Sequence, residues 1–274
     1  MKPKEGDRRS PYEPQEEPIP DVPKGRADIP RLIEKFRKER NRDVVDARSQ
    51  LFSALKDRGI KAADMSYIRG VAAIAYWMHR NDEPRFTKRD DDPKNSQLPY
   101  ITHPLNAATL IAKNPHVPYD DLVDDVTYAL VHDLFENTNL RPNQLRQVTR
   151  SSLVQRAVFI SKIIRAYGGK KIEVKEHARK ILEEGDIHDW RVRIVDWNHN
   201  LATTPKSRNI YPEIPSDKYD RLISKFPDTS TIIIPILRKF PNGREKTYWY
   251  DLLKKTYNEH KPEEITEELA PLAL

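Results

Sequence analysis

Apolar residues recur every three or four positions through most of this chain, and that spacing limits the fold more than any other feature. In one clear example the repeating residues are Ile68, Val71, Ala72, Ala75 and Met78, with Asp64 as a possible N-terminal cap. Such spacing places apolar side chains on one face of an α-helix. Comparable patterns predict helices near 30–55, 104–113, 120–137, 142–165, 175–184, 189–202 and 244–258. The apolar segment TIIIPIL at 231–237 is a candidate buried helix or strand. The chain is therefore predicted to be an all-α helical bundle.

Two segments interrupt or precede this pattern. The first thirty residues contain seven of the 22 prolines and almost no apolar side chains, a composition that cannot bury a core. Residues 81–99 are polar, charged and broken by proline, which predicts a long surface loop. We expect a disordered arm over 1–29, one domain over 30–206, and a C-terminal helical extension over 207–274 that packs on the domain.

Composition restricts the chemistry and the partners. The chain has no cysteine, so a metal would have to be held by histidine, carboxylate and backbone oxygen ligands. No apolar run approaches the ~20 residues of a membrane span, and the N-terminus lacks the apolar core of a signal peptide. A cytoplasmic protein without a membrane partner is therefore expected, whereas its oligomeric state cannot be read from the sequence.

The charge distribution suggests an anionic partner. The net charge is +6, and residues 1–30 carry six basic and seven acidic residues, so the remaining chain carries +7. A positive surface attracts nucleotides, phosphates or nucleic acid, and it also serves solubility alone. Nucleic acid is the least favoured of these partners, because no recognition motif and no alternation of aromatic and basic residues is present.

An adjacent histidine and aspartate stand in an otherwise apolar helical segment, YALVHDLFENT. These residues, His132 and Asp133, are costly to bury without a partner. Glu136 follows His132 by four positions and Asn137 follows Asp133 by four, so each pair shares a helix face. The turn therefore presents either a polar site or a frayed helix end in which Asp and Asn pair locally.

Two further segments carry candidate site residues. In YITHP, His103 precedes Pro104, a residue suited to a first helical turn. In WRVRIVDWNHNL, Asp196 follows apolar residues and shares a helix face with Asn200. Taken alone, His103 is equally a cap or a surface residue. Asp196 is equally an ion-pair partner of a nearby arginine, Arg191 or Arg193.

Together, the three segments resemble in order and spacing the HD superfamily of phosphohydrolases, and within it the hydrolase domain of RelA/SpoT-type alarmone enzymes. YITHP is similar to that family's first histidine motif, and LVHDLFENT to its histidine–aspartate motif. VDWNHN resembles its late Asp-Arg-Leu-His-Asn motif, and ISK at 160–162 its Thr-Lys step. The resemblance covers residues 64–206, and it implies an HD-type helical fold.

The resemblance also implies roles for particular residues. It implies four metal ligands, which are His103, His132, Asp133 and Asp196. Glu136 would position or activate water, while Asn200 and Thr203 match positions that contact a nucleotide. The implied metal is Mn²⁺, which suits imidazole and carboxylate ligands, although other divalent ions fit such a set. The implied partner is a small nucleotide, ppGpp or pppGpp, hydrolysed at its 3′-pyrophosphate to GDP or GTP.

Basic residues near these motifs are candidates for holding phosphate groups, since arginine and lysine form strong charge-assisted hydrogen bonds to phosphate. The candidates are Arg85, Lys88, Arg89 and Lys162. For each of them a solvated surface charge is an equally good interpretation.

Two departures from the family pattern leave the substrate open. Asn137 stands where the family has an aspartate, and its neutral amide cannot act as a base. Trp197 and Asn198 replace an arginine and a leucine, which removes a cation near the site. The alternatives are an HD-type phosphohydrolase acting on another phosphorylated nucleotide, and a nucleotide-binding protein with weakened turnover.

Overall fold

A computed structural model describes residues 23, 25–79, 99–164, 167–204 and 216–266, with the backbone alone for residues 216–218. The helices of this part are, in chain order, α1 (Ile29–Arg37), α2 (Arg42–Asp57), α3 (Ala62–His79), α4 (Thr102–Lys113), α5 (Tyr119–Val131), α6 (Leu134–Asn137), α7 (Pro142–Val148), α8 (Ser151–Ile160), α9 (Val174–Glu184), α10 (Ile187–Ala202), α11 (Ser216–Ile223), α12 (Lys225–Arg238) and α13 (Gly243–His260). The prediction of an all-α fold is confirmed. Most of the predicted disordered arm and almost all of the predicted 81–99 loop lie outside the described residues.

Helices α4, α5 and α10 form the centre of the bundle. Helix α4 packs against α2, α5 and α10, and α3 packs against α1 and α5. Helices α12 and α13 cover α10, and α12 also contacts α9. Leu105, Leu130 and Ile194 are fully buried where the three central helices meet. None of the helices described here is both long enough and apolar enough to cross a bilayer.

Local signals fix the start of the helix that carries Asp196. The Asp186 side chain accepts hydrogen bonds from the backbone N–H groups of His188 and Asp189, and the Asp189 side chain accepts from the Asp186 N–H. This reciprocal capping satisfies donors that a helix start leaves unpaired. Helix α10 therefore begins at Ile187 and carries the predicted late motif through its final turns.

Three boundaries differ from the sequence prediction. Helix α3 begins at Ala62, so Asp64 lies in the first turn and is not the cap. The segment predicted as one helix over 142–165 is divided into α7 and α8, because Thr149 and Arg150 adopt extended backbone angles. The ambiguous stretch at 231–237 is helical and belongs to α12, with Pro235 inside the helix.

A buried arginine joins the central helices to the C-terminal helix. Arg191 on α10 bonds to Asp121 and Asp125 of α5 at 2.7 and 2.8 Å, and to both carboxylate oxygens of Glu245 on α13 at 2.7 and 3.0 Å. Burial opposes the charged form, but these carboxylates outweigh it and raise the pKa of Arg191. The guanidinium thus stands where the nearby acidic groups of α5 could otherwise attract a cation.

Arg191→Met should lower the free energy of unfolding by about 3–5 kcal/mol, because it leaves Glu245 buried without a counter-charge and leaves Asp125 with His188 alone. Urea denaturation followed by circular dichroism measures the loss. The matched control is Arg179→Met on α9, whose exposed pair with Glu183 is worth less than about 1 kcal/mol. Similar losses in the two variants would contradict a stabilising role for the buried network.

His188 adds a pH dependence to this network. Its Nδ1 lies 2.6 Å from Asp125, and that hydrogen bond, which outweighs partial burial and nearby Arg156, raises the pKa of His188, with Asp186 adding to the rise. A histidine whose pKa is raised on folding stabilises the folded state. This stabilisation is fully present below the unfolded pKa of about 6.5 and is lost as pH rises through the folded pKa. The stability difference between the wild type and His188→Gln should therefore shrink from pH 5.5 to higher pH, as measured by urea denaturation. A difference that grows with pH would contradict this.

Candidate metal centre

The four predicted metal ligands meet at one point in the core. His103 Nε2 lies 3.2 Å from His132 Nε2 and 3.3 Å from an Asp133 carboxylate oxygen. The same nitrogen lies 3.2 Å from an Asp196 carboxylate oxygen. All four ligand atoms lie within 4.8 Å of one another, and all four residues are buried. The structure therefore brings together side chains that are far apart in sequence.

Three separate elements supply these side chains. His103 lies in the first turn of α4, which begins at Thr102 rather than at Pro104 as the sequence suggested. Asp196 comes from α10. The packing of α4 and α10 against α5 sets the distance between the two, so the site depends on the bundle as a whole.

The third element is a turn between two helices, and the prediction of one helix over 120–137 is therefore wrong at this point. Helix α5 ends at Val131 and α6 begins at Leu134, with His132 and Asp133 in the turn between them. Neighbouring side chains on a regular helix point about 100° apart. In this turn His132 Nε2 and an Asp133 carboxylate oxygen lie 3.2 Å apart, so both reach the same point.

Hydrogen bonds orient both imidazole rings. The Nδ1 of His132 lies 2.7 Å from the Ala129 carbonyl oxygen, to which it donates. This bond places the proton on Nδ1 and leaves the Nε2 lone pair directed at the cluster. The Nδ1 of His103 lies 2.9 Å from His199 Nδ1, and the Asn106 amide lies 3.2 Å from the other nitrogen of His199.

The cluster is an electrostatic site for a cation. Burial lowers the pKa of His132, but Asp133 and Asp196 outweigh it and raise that pKa well above its usual range. Burial raises the pKa of Asp133 and Asp196, yet the two histidines outweigh it and hold both values well below normal. Positive charge is thus favoured at the point where the four side chains meet.

The spacing and chemistry of the donor atoms fit a divalent metal ion. Ligands bonded to one ion at about 2.0–2.2 Å stand roughly 3–3.6 Å apart at right or tetrahedral angles. The measured separations involving His103 Nε2 are 3.2–3.3 Å, which agrees. Two imidazole nitrogens this close to each other repel unless a cation or a proton lies between them. A mixed nitrogen and oxygen set of this kind suits Mn²⁺, Fe²⁺ and Zn²⁺.

Glu136 stands beside the cluster and is held by Lys162. The backbone N–H of Lys162 donates to the Glu136 carboxylate at 2.7 Å, and its Nζ lies 3.3 Å from the second oxygen. The two residues come from α6 and from the segment just after α8. The carboxylate is therefore held in position, and it lines the same cavity as three of the candidate ligands.

Asn137 acts through a tyrosine. Its amide donates to the Tyr100 hydroxyl at 2.6 Å, and that hydroxyl donates to the Asp133 carboxylate at 2.6 Å. A phenol has one proton to donate and an ionised carboxylate can only accept, so the group at 137 must be a donor. The neutral amide that departs from the family pattern is thus matched to Tyr100.

Asn137→Asp should not raise turnover and should lower stability by about 1 kcal/mol. Two carboxylates would then compete for the single Tyr100 proton and leave one acceptor poorly satisfied. Thermal unfolding measures the stability, and the rate of the reaction proposed below measures the turnover. Tyr100→Phe is the control. Without the Tyr100 hydroxyl, the Asn137→Asp change should cause a smaller loss of stability. A tenfold increase in rate would show instead that a carboxylate at 137 activates water.

A buried histidine packs behind Tyr100. The His79 ring stacks on Tyr100 with centroids 4.8 Å apart, and burial lowers the pKa of His79 to about 3. Among the described residues neither ring nitrogen of His79 has a hydrogen-bond partner. His79 is therefore a neutral wall that supports the orientation of Tyr100.

An open cavity of about 580 Å³ leads to the cluster. Its size lies within the about 300–1,000 Å³ typical of small-molecule sites. Charged and polar side chains line much of it, including Asp133, Asp196, Glu136, Lys162 and Arg193. A ligand of nucleotide size can therefore enter beside the candidate metal ligands.

The remaining predicted residues are distributed unevenly around this cavity. Asn200 lines it and donates to Asp196 at 2.7 Å. The Thr203 hydroxyl donates to the His199 and Asn200 carbonyl oxygens, and Thr203 is not among the described residues that line the cavity. Three further predicted residues lie outside the described residues: Arg85, Lys88 and Arg89.

Sequence reasoning missed Tyr100 and His199, which contact candidate ligands, and Asn106, which contacts His199. Asn106 lies three positions after His103 on α4, and His199 lies three positions after Asp196 on α10. These two spacings put neighbours on one helix face, and they could have identified Asn106 and His199. Tyr100 lies before α4 begins, so helical spacing carried no signal for it. Arg193, which donates to Asp196 at 2.9 Å, was considered only as an alternative partner.

Comparison with known proteins agrees with this chemistry at a coarse level. No known family model matches the chain. The chain is similar to a guanosine-3′,5′-bis(diphosphate) 3′-pyrophosphohydrolase of Haemophilus influenzae, with 25% identity over 173 residues. The match covers 62% of this chain and 23% of the relative's length. The buried His/Asp cluster and this distant relative together point to a metal-dependent hydrolase.

Proposed function

We propose that the protein is a Mn²⁺-dependent pyrophosphohydrolase that removes the 3′-pyrophosphate of the guanosine alarmones ppGpp and pppGpp. The products are pyrophosphate and GDP or GTP. The observation that carries the proposal is the close approach of four buried donor atoms beside Glu136. The alarmone substrate is supported by the printed activity of the distant relative and by the order of the three sequence motifs.

In this mechanism His103, His132, Asp133 and Asp196 would hold the metal ion. When bound, a divalent ion would lower the pKa of a water and polarise a phosphoryl oxygen. Glu136 takes the proton of the attacking water, and its hydrogen bond from the Lys162 backbone N–H fixes the position of the carboxylate. The Lys162 side chain lines the same cavity, and its ammonium would stabilise negative charge on the phosphates.

Other side chains of the chain position the site and the nucleotide. Arg193 and Asn200 both donate to Asp196, which orients that carboxylate. Asn200 and Thr203 remain our candidates for contacts to the nucleotide, as do Arg85, Lys88 and Arg89 for contacts to its phosphates.

One observation favours a second candidate, hydrolysis of another phosphorylated nucleotide by the same chemistry. Trp197 lines the cavity where the similar motif has an arginine. The Trp197 indole N–H is bound to Thr229, so the ring offers the cavity an aromatic surface in place of a cation. Such an exchange changes which nucleotide fits while leaving the metal ligands in place.

The test is product analysis with purified protein loaded with Mn²⁺. Incubation with ppGpp should release pyrophosphate and GDP, and a chelator should stop the reaction. A panel of ATP, GTP and nucleoside 3′,5′-bisphosphates separates the two candidates. Stoichiometric bound metal without turnover of ppGpp would exclude the alarmone activity.

A further inference from the structure

The cavity beside the candidate metal centre has a second wall that comes from the C-terminal helices. Residues of α11 and α12 and the turn between them line it together with the candidate ligands: Arg221, Leu222, Ser224, Lys225 and Asp228. The four candidate metal ligands themselves come from α4, α10 and the turn before α6. Two sets of elements therefore form the cavity, and about half of the residues that line it lie outside the three metal-binding motifs.

A hydrogen bond connects this wall to the residue that follows Asp196. The Trp197 indole N–H donates to the Thr229 hydroxyl oxygen at 3.0 Å, and that hydroxyl donates to the Lys225 carbonyl oxygen at 2.7 Å. Trp197 and Thr229 are both buried. The start of α12 is thus fixed to α10 one position beyond a candidate metal ligand.

The wall contributes positive charge beyond that of the metal centre. Lys162 and Arg193 line the cavity and contact Glu136 and Asp196. Lys171, Arg221 and Lys225 also line it, from the segment before α9 and from the α11–α12 corner. Like the first two, Arg221 and Lys225 have interaction partners within the protein.

The acidic residue on this wall, Asp228, forms an ion pair. The buried Arg193 also lines the cavity. The Asp228 carboxylate pairs with Lys175 at 3.3 Å. Among the described residues the Arg193 Nε is buried without a hydrogen-bond partner. A negatively charged ligand would therefore meet a predominantly cationic surface on this side of the cavity.

We infer that Lys171, Arg221 and Lys225 bind the phosphate group of the substrate that is not hydrolysed. The ligand class is a nucleotide with phosphates at two separate positions of the sugar, one directed at the metal cluster and one at this wall. The inference rests on the proposed function. Its physical basis is the strength of charge-assisted hydrogen bonds to phosphate and the reach of one cavity across both sites.

The two-ended cavity gives Trp197 a role that explains its departure from the family pattern. The arginine expected at this position is absent, and the indole instead anchors α12, which supplies Lys225 in its first turn and directly follows α11, the helix of Arg221. The cation lost from α10 is replaced by cations from the C-terminal helices.

The test is calorimetric binding of two probes to the Mn²⁺-loaded protein. Guanosine 3′,5′-bisphosphate carries two phosphate groups and guanosine 3′-monophosphate carries one, and neither contains a pyrophosphate bond. The wild type should bind the bisphosphate at least roughly tenfold more tightly, because one charged hydrogen bond is worth this factor or more. Arg221→Gln/Lys225→Gln should lose the preference and keep the monophosphate affinity and the metal content.

The matched control is Arg238→Gln/Lys239→Gln, which removes the same charge from the exposed far end of α12 and should keep the preference. Lys171→Gln, on a different segment, should weaken the bisphosphate binding by itself, so the result does not depend on the fold of one variant. Equal affinity of the wild type for both probes would overturn the inference. So would an unchanged preference in the double variant and in Lys171→Gln. If ppGpp is not hydrolysed but these binding differences appear, the second phosphate site stands and the proposed reaction fails.

Discussion

Asp196→Asn is expected to remove the bound metal and the hydrolytic activity together while the helices remain folded. The asparagine keeps the size of the side chain and can still accept a hydrogen bond from Arg193, which lies 2.9 Å from the carboxylate. It lacks the negative charge that a divalent ion needs. Metal affinity should fall by at least about 100-fold, since losing a group that only orients a ligand already costs about 10–100-fold.

Metal analysis by mass spectrometry, release of pyrophosphate from ppGpp and circular dichroism measure the three properties. His103→Ala should behave in the same way, because its Nε2 lies at the centre of the cluster. Asp251→Asn on the exposed face of α13 is the control for a lost carboxylate and should change none of the three. Full metal occupancy in Asp196→Asn would remove Asp196 from the ligand set.

Glu136→Gln should retain the metal and lose turnover by about 10²–10⁴-fold, the usual contribution of a general base. The glutamine oxygen can still accept from the Lys162 backbone N–H, which lies 2.7 Å from the carboxylate. The variant therefore removes the ability to take a proton while it keeps the position of the side chain. Single-turnover rates at saturating Mn²⁺ and the metal content are the two measurements.

Lys162→Met is the matched comparison for this prediction. It removes the ammonium near Glu136 but keeps the backbone N–H that holds the carboxylate. The loss of turnover should be smaller than in Glu136→Gln. If Glu136→Gln loses the metal as readily as Asp196→Asn does, Glu136 is a ligand. If its rate is unchanged, the proton is taken by another group.

Much of the helical framework was predictable because helix formation depends on neighbours in sequence. The apolar spacing located α3, α4, α9, α10 and α13 to within a few residues. The signals are local, since residues three and four positions apart share a face. The TIIIPIL segment resisted this reasoning because β-branched residues favour strands and Pro235 disrupts helical hydrogen bonds. Burial of its isoleucines within the bundle decided in favour of the helix.

The candidate site, like the fold, could be predicted from the sequence only in part. Sequence motifs indicated His103, His132, Asp133 and Asp196 as a set, and the fold brings their ligand atoms within 4.8 Å. Sequence reasoning placed His132 and Asp133 inside one helix, whereas the helix ends at Val131 and both side chains reach one point from the turn that follows. Where such a helix ends depends on the residues that pack against the turn in the core, and periodicity does not encode them.

Composition and near-neighbour spacing were enough to indicate the residue types available to the chemistry, the helical class and the order of the polar motifs. Which distant groups meet depends instead on the packing of the bundle. That packing paired Asn137 with Tyr100 and brought Arg221 and Lys225 to the cavity that contains Asp196. Such contacts join positions far apart in the chain, and their partners are chosen by the packing of whole helices rather than by local spacing.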